Sequence, residues 1–238
     1  MSESAVHFIP IVTTLLAIPF SLEIFRRYRQ HPERLHLLWW AIGVATYGVG
    51  TFTEASTTLF GWHEQIFRAW YVSGALLGGA PLAQGTVYLM LPRKTAHALT
   101  TVLVVYVVLA SVAVYLSPID LAQVETHRLS GKVFVWQWVR MFSPIVNLYA
   151  VVFLIGGAIM SALKYSADPA THHRMWANVF IAIGAILPGI GGTATRMGHV
   201  EVLYVTELVG MLLTWTGYRM SVRPYSAPAA PVAGTATA

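Results

Sequence analysis

Two glutamates lie inside long apolar segments, where a carboxyl group needs a physical explanation. Glu54 lies about two helical turns before Gly61, and Glu207 lies at a similar depth in the last apolar segment of the chain. An ionised carboxylate in hydrocarbon costs several kcal/mol unless it is protonated or paired. These two residues are therefore candidates for binding a proton, a cation or a polar ligand.

Small and polar residues recur at helical spacing around each glutamate. Around Glu54 they are Tyr47, Gly50, Thr51, Thr57 and Thr58. Around Glu207 the same face carries Tyr204, Gly210, Met211, Thr214 and Gly217. A polar face on a membrane helix turns towards the other helices rather than towards lipid. We therefore predict that the two carboxyl groups approach each other at one level of the outer half of a helix bundle.

Two interpretations of this pair are open. The glutamates form structural ion pairs or hydrogen bonds that set the helix register, or they line an outward-facing cavity for a cation, a proton or a small polar molecule. Residues predicted near the same level are Arg68, Arg140, Arg196, Tyr71, Asn147 and Thr206. In the cavity hypothesis Glu54 and Glu207 bind the ligand. The cavity is then shaped by Arg68, Arg196, Tyr71 and Asn147.

Histidines suggest a further alternative, a metal- or haem-dependent enzyme. His63 precedes Glu64 and His199 precedes Val200-Glu201, so the four side chains of His63, Glu64, His199 and Glu201 form a candidate metal site. The chain has no cysteine, which excludes disulfides, iron–sulfur clusters and thiolate zinc sites. It also has no nucleophile elbow, Walker loop or dinucleotide fingerprint. The sequence thus assigns no catalytic residue and no cofactor, and it favours a role other than catalysis.

The composition identifies the class of protein that must position these residues. Hydrophobic residues make up 56% of the 238 residues, charged residues only 11%, and the mean hydropathy is +0.60. Spanning the bilayer core takes roughly 20 apolar residues. Seven stretches satisfy this length, at about 6–25, 37–60, 67–90, 97–116, 144–163, 174–194 and 201–220. We predict an all-α membrane protein in which residues 1–223 form seven transmembrane helices and residues 224–238 a disordered cytoplasmic tail.

The distribution of basic residues predicts the orientation. With the amino terminus outside, ten lysines and arginines fall in the cytoplasm and five outside, which satisfies the positive-inside rule. The outer five are Arg68, Arg128, Lys132, Arg140 and Arg196. The first segment lacks a basic amino end and a cleavage site, so it is predicted to be a retained helix in the plasma membrane. Because the positive charges lie in short loops, the net charge of +5 does not indicate nucleic acid as a partner.

An internal repeat is indicated when the chain is compared with itself at an offset of 137 residues. Eight identities occur over the 37 positions 28–64, where about three are expected by chance. They include Gly61 with Gly198 and Glu64 with Glu201. We predict a 3+1+3 arrangement of parallel repeats, with repeat one at about 6–92, a linker helix at about 97–116 and repeat two at about 144–222.

Two further segments have alternative interpretations. Pro188, Gly189, Gly191 and Gly192 indicate either a kinked packing helix or a helix broken at the membrane midplane. The connection 117–143 is the longest, and its "VFVWQW" segment indicates anchoring at the outer headgroups or a lid over an outer cavity.

Several motifs resemble those of a group of uncharacterised bacterial seven-helix integral membrane proteins. They are "FGW" at 60–62, "YVSGALL" to "GTVYLMLPRK" at 71–94, "GGAIMSALKY" at 156–165, "NVFIAIGAI" at 178–186, "GGT" at 191–193 and "TELVG" at 206–210. The resemblance covers nearly the whole membrane region. It implies the seven-helix architecture and no particular activity or site.

The leading functional hypothesis is a protein that binds or transports an ion or small polar solute through an outward-facing cavity. A receptor-like or accessory subunit of a larger complex is the alternative, and the metal- or haem-dependent membrane enzyme is the third. The expected partners are the lipid bilayer, the solute, and a membrane protein partner or further copies of the same chain.

Overall fold

The computed structural model describes residues 5–125 and 128–222, and its regular elements are helices. The amino-terminal part of the chain forms four helices. They are α1 (Ile9–Gln30, after a short 3₁₀ turn), α2 (Leu35–Phe60), α3 (Glu64–Trp70) and α4 (Ala80–Met90). They are followed by α5 (Arg93–Leu116), the pair α6 (Phe142–Ala150) and α7 (Gly156–Ser166), α8 (His172–Arg196) and α9 (Val200–Val222). Within the described ranges there is no β-strand. The predicted tail at 224–238, and Arg223, lie outside the described residues.

Six of these helical segments are long and apolar enough to cross a membrane. They are Ala5–Gln30, Leu35–Phe60, Arg93–Leu116, Gln137–Ser166, Pro169–Arg196 and Val200–Val222. These lengths and compositions agree with a polytopic, membrane-embedded helical protein. The exception among the seven predicted spans is the segment 64–90, which is helical but interrupted.

The interruption in segment 64–90 lies at Gly78 and Gly79. A π-helix, Tyr71–Leu77, continues α3, and α4 then begins at Ala80. Gly78 has φ +42° and ψ −118°, a backbone conformation that requires glycine. By contrast, α8 continues through Pro188 to Arg196, because Gly210 on α9 leaves room for the proline ring. The broken helix considered at Pro188 is therefore absent, and the break is in segment 64–90.

The helices form a ring. α1 packs against α2 and α9, α2 against α4, and α4 against the π-helix Val151–Ile155 that joins α6 to α7. α7 then packs against α8, and α8 against α9, which closes the ring. α5 lies outside it, against α4 and residues 71–77. Much of the apolar surface of α5, including Val102 and Leu109, is exposed, as expected for a lipid-facing helix.

Glycines make the contact between α8 and α9 unusually close. A methyl group added to Gly184 would lie 2.7 Å from the backbone oxygen of Gly210, and one added to Gly217 would lie 2.5 Å from that of Ala177. The absence of side chains at these positions allows the two backbones to approach each other. This contact sets the position of Glu207, which lies on α9.

One end of the bundle, here called the loop face, carries residues 61–63, 117–125, 128–141 and 197–199. The described parts of the long connection are folded onto it: Val133, Phe134 and Val139 are fully buried against Phe67 and Val114. The other end, the opposite face, carries residues 31–34, 91–92 and 167–171. In the predicted orientation the loop face is the outer one.

Candidate functional site

Glu54 on α2 and Glu207 on α9, the two helices that flank α1 in the ring, have their carboxyl groups within hydrogen-bonding reach of each other. Glu54 is only 4% exposed. The Trp70 indole N–H donates a hydrogen bond of 2.9 Å to Glu54 Oε1, and the Tyr47 hydroxyl donates one of 3.0 Å to the backbone oxygen of Glu207. Glu207 is half-buried as a residue, but its Oε2 atom is buried like that of Glu54, and neither Oε2 atom accepts a hydrogen bond from an N–H or O–H donor in the described chain. The site is thus a pair of neighbouring carboxyl groups whose Oε2 atoms are open to a shared proton or a cation.

No lysine or arginine of the described residues forms an ion pair with either carboxyl group. Among the described residues, the five ion pairs involve other carboxylates, and none reaches Glu54 or Glu207. The other titratable groups that act on the pair are the hydroxyls of Tyr47 and Tyr204, which are neutral. Two ionised carboxylates about 4 Å apart repel by about 4 kcal/mol at an effective dielectric constant of about 20. The favourable state is therefore one in which the pair shares a proton or holds a cation.

The carboxyl pair lies on the wall of a cavity of about 1630 Å³ enclosed by the ring. The cavity reaches both ends of the bundle. At the loop face it is lined by Arg128, Lys132, Arg140 and Arg196, and at the opposite face by Arg27, Arg34 and Arg174. Between these ends most of the wall is apolar or aromatic, with Trp40, Trp70 and Leu154 among its residues. Glu54 and Glu207 are the two acidic residues of this lining.

Three of the other predicted cavity residues line this space. Tyr71 is buried, and its hydroxyl accepts a hydrogen bond of 3.3 Å from Ser143. Asn147 donates to the backbone oxygen of Ala75 at 3.4 Å, beside the interruption in segment 64–90. Arg196 lies at the loop-face mouth.

Arg68 is placed elsewhere. It is 5% exposed, forms an ion pair with Glu64 at 2.7 Å, and donates hydrogen bonds to the backbone oxygens of Val114 and, at 2.9 Å, Ser117. These carbonyls lie in the last turn of α5 and at the residue that follows it, where no intrahelical donors are available. Arg68 thus holds the end of α5 against α3, outside the cavity lining.

The four candidate metal ligands do not assemble into a site. No group of three or more histidine, aspartate or glutamate side chains in the described parts of the chain is arranged to hold a metal ion. Glu64 is engaged with Arg68, and His63, His199 and Glu201 are exposed on the loop face.

Sequence reasoning missed one contribution to the cavity and had left a second as an alternative, the long connection as a lid. The backbone at Gly78 and Gly79 lines it beside Asn147, and the signal for this break was the Gly-Gly-x-Pro pattern at 78–81. Residues 128–132 of the long connection also line the mouth. Trp136 and Trp138 of that connection stack on each other, with ring centroids 5.9 Å apart, and are exposed.

Comparison with known protein families, curated proteins and solved structures finds no match for this chain.

Proposed function

We propose that this protein is a transporter in which the Glu54–Glu207 pair binds a proton or a small cation and couples it to movement of a solute through the central cavity. The observation that carries the proposal is the contact between two carboxyl groups with buried Oε2 atoms, without a cationic partner among the described residues, on the wall of a cavity that reaches both faces. A glutamine at either position could donate a hydrogen bond to the remaining carboxyl group without any risk of charge repulsion, so the second acid favours an ion-binding role over a purely structural one.

The coupling has a simple physical basis. α2 carries Glu54 and α9 carries Glu207, and both helices belong to the ring that encloses the cavity. When the pair holds a proton, the two helices are joined by a carboxyl–carboxylate hydrogen bond. When the proton leaves, repulsion between the carboxylates favours separation of the helices. Binding of a proton to the pair therefore favours a narrow cavity between α2 and α9, and its release favours a wide one. Alternating access requires such a shift between two conformations.

For the architecture, we propose seven membrane spans in the plasma membrane, with the amino terminus outside and two parallel three-helix repeats joined by α5. Two observations support the repeat. α2 and α8 begin 137 residues apart, at Leu35 and His172, and the glycines that follow both helices, Gly61 and Gly198, have positive φ angles of 81° and 101°. The order of neighbours around the ring is also the same in both halves. A cavity between two repeats is a common transporter design.

The topology can be tested directly because the chain has no cysteine. Single cysteines are introduced at His63 and Arg93, which flank segment 64–90, and at Gln123 and Asp168. If segment 64–90 spans the membrane, a membrane-impermeant maleimide labels His63→Cys and Gln123→Cys from outside, and Arg93→Cys and Asp168→Cys only after permeabilisation. Labelling of positions 63 and 93 from the same side would contradict the seventh span.

The functional test measures the pair itself and then the coupled flux. Protein in liposomes is titrated with acid, Na⁺ or K⁺ while the carboxylic acid C=O band is recorded by infrared difference spectroscopy. We expect a band that responds to one of these ions in the wild type, shifts in Glu54→Gln and in Glu207→Gln, and is lost in the double variant. Glu33→Gln is the matched control, because Glu33 is exposed and outside the cavity.

Proton uptake driven by an imposed pH gradient, followed with an encapsulated pH dye, completes the test. Each single variant is expected to lower the rate at least tenfold relative to wild type, since one carboxyl group alone cannot share the proton. A wild-type band that persists in the double variant would show that the pair is not the ion site. Band changes without any coupled ion movement would refute the transport role.

A further inference from the structure

We infer that the loop-face mouth of the cavity is a binding site for the anionic group of an organic acid, whose apolar body extends into the cavity. This names the solute class of the proposed transporter and rests on that proposed function. The mouth is lined by Arg128, Lys132, Arg140 and Arg196, and only Arg128 has a carboxylate partner, Glu125, among the described residues.

The cations converge from different elements. Arg140 belongs to the turn Gln137–Met141 and Arg196 to the end of α8, yet both act electrostatically on the Tyr71 hydroxyl. Arg140 donates one hydrogen bond, of 2.7 Å, to Gln137 Oε1, so most of its donors remain available. A single anion between Arg140 and Arg196 would relieve the repulsion between them and accept several charge-assisted hydrogen bonds.

Arg128 adds a buried donor to the same mouth. Its guanidinium is bonded to Glu125 and, at 3.5 Å, to the backbone oxygen of Thr195 on α8. Its Nε–H is buried and has no hydrogen-bond partner in the described chain. A buried N–H without an acceptor is unfavourable, and an anionic ligand in the mouth would supply the missing acceptor.

Membrane topology does not explain these charges. In the proposed orientation the loop face is outside, where lysine and arginine are depleted near membrane helices. Of the five basic residues predicted there, Arg68 holds the end of α5 and the other four line the mouth. Their positions therefore need an explanation other than topology, and attraction of a negatively charged solute supplies one.

The rest of the cavity indicates what kind of organic group is attached to the anionic group of the solute. Below the mouth the wall includes Trp70, Ala150 and Leu154, which favour an apolar or aromatic body. The Glu54–Glu207 pair, in contact with Trp70, would repel an anion when both carboxyl groups are ionised and would repel it less once the pair holds a proton or cation. Binding of the ion and of the organic anion are thus expected to favour each other. Arg27, Arg34 and Arg174 at the opposite face offer the same charge at the other exit.

The test uses benzoate as the anionic probe, with benzamide as its neutral isostere and benzylamine as the cation. Wild-type protein in nanodiscs of phosphatidylcholine is titrated with each compound, and binding is followed by calorimetry and tryptophan fluorescence. Benzoate is expected to bind at least tenfold more tightly than benzamide, with benzylamine weakest. Arg140→Gln and Arg196→Gln are each expected to weaken benzoate binding about tenfold. The matched control is Arg26→Gln, an exposed arginine outside the cavity.

An anionic lipid headgroup presents the same chemistry, so a second arm uses nanodiscs that contain phosphatidylglycerol. Competition between this lipid and benzoate would identify a headgroup as the occupant of the site, whereas unchanged benzoate affinity would identify a free organic acid. Arg140 and Arg196 are exposed, so both variants are expected to fold, and their melting temperatures check this.

Equal binding of benzoate and benzamide, or benzoate binding that is unchanged in both arginine variants, would overturn the inference. If the ion-sensitive carboxylic acid band is present at the same time, the proposed ion site stands and only the solute class is wrong. If the band is also absent, the proposed function fails with it.

Discussion

Gly191 and Gly192 are neighbours in α8 that face different surroundings, and they provide a stringent test of the helix ring. A methyl group at position 191 would lie 2.1 Å from Thr206 Oγ1 and 2.7 Å from the Leu203 Cα atom. At position 192 no atom of another described element lies within 4 Å of such a methyl group. Gly191→Ala and Gly192→Ala therefore make the same chemical change at a site packed against α9 and at a site that faces the cavity.

The magnitude follows from two contributions. Replacing glycine by alanine in a helix interior stabilises the helix by up to about 1 kcal/mol, and this applies at both positions. At Gly191 the methyl group also forces the α9 backbone at Leu203 away from α8, which costs about 1–3 kcal/mol because a backbone atom cannot rotate aside. We expect Gly192→Ala to be neutral or stabilising and Gly191→Ala to be destabilising. The difference between the two variants isolates the packing cost, about 1–3 kcal/mol.

The assay is reversible unfolding in mixed micelles by titration with sodium dodecyl sulfate, followed by tryptophan fluorescence and circular dichroism. Because Thr206 precedes Glu207, Gly191→Ala is also expected to disturb the carboxyl pair and shift its infrared band, whereas Gly192→Ala leaves the band unchanged. Equal free energies of unfolding for the two variants would refute the close contact between α8 and α9, and with it the placement of Glu207.

Two further substitutions test how segment 64–90 and α5 are held. Tyr149→Phe removes the hydroxyl that donates to Oε1 of the fully buried Gln84, and it should lower the free energy of unfolding by about 1–3 kcal/mol in the same assay. The control Tyr115→Phe, at a half-exposed ring, should change the free energy of unfolding by less than about 0.5 kcal/mol. Arg68→Gln should lower the free energy of unfolding by about 2–3 kcal/mol and leave benzoate affinity unchanged. Glu64→Gln should lower it by at most about 1 kcal/mol, because the Glu64 side chain is 47% exposed. A loss of benzoate binding in Arg68→Gln would place this arginine in the cavity after all.

The interruption at Gly78 and Gly79 shows where local sequence reasoning reached its limit. Pro188 followed by three glycines within four residues is the stronger breaking signal in isolation, yet α8 is continuous there. Tertiary packing explains the difference, because α9 presents Gly210 to the Pro188 ring. At Gly78 the Asn147 side chain approaches the break and donates to the backbone oxygen of Ala75. Whether a weak helix position breaks depends on its neighbours as well as on its own residues.

Much of the membrane character was determined by sequence alone, since hydropathy over about 20 residues and helical periodicity are local properties. The polar faces of α2 and α9 follow from the same periodicity, and so do Glu54 and Glu207 as the residues that need a partner. The hydropathy and the polar face of a helix depend on its own residues and do not change with the way it packs.

Only the tertiary structure decided which partner each of these residues has. Tyr47 donates a hydrogen bond to a backbone carbonyl 160 residues away in the sequence. Arg68 donates to carbonyls at the end of α5, 46–49 residues away, and not to the carboxyl pair that was predicted near it. Likewise, the arginines at the loop face follow from no periodic pattern, because they belong to a connection and a helix end that meet only when the ring closes. Charge and hydrogen-bond partners are set by distances of a few ångströms in space, and one sequence is compatible with many such pairings until the helices pack.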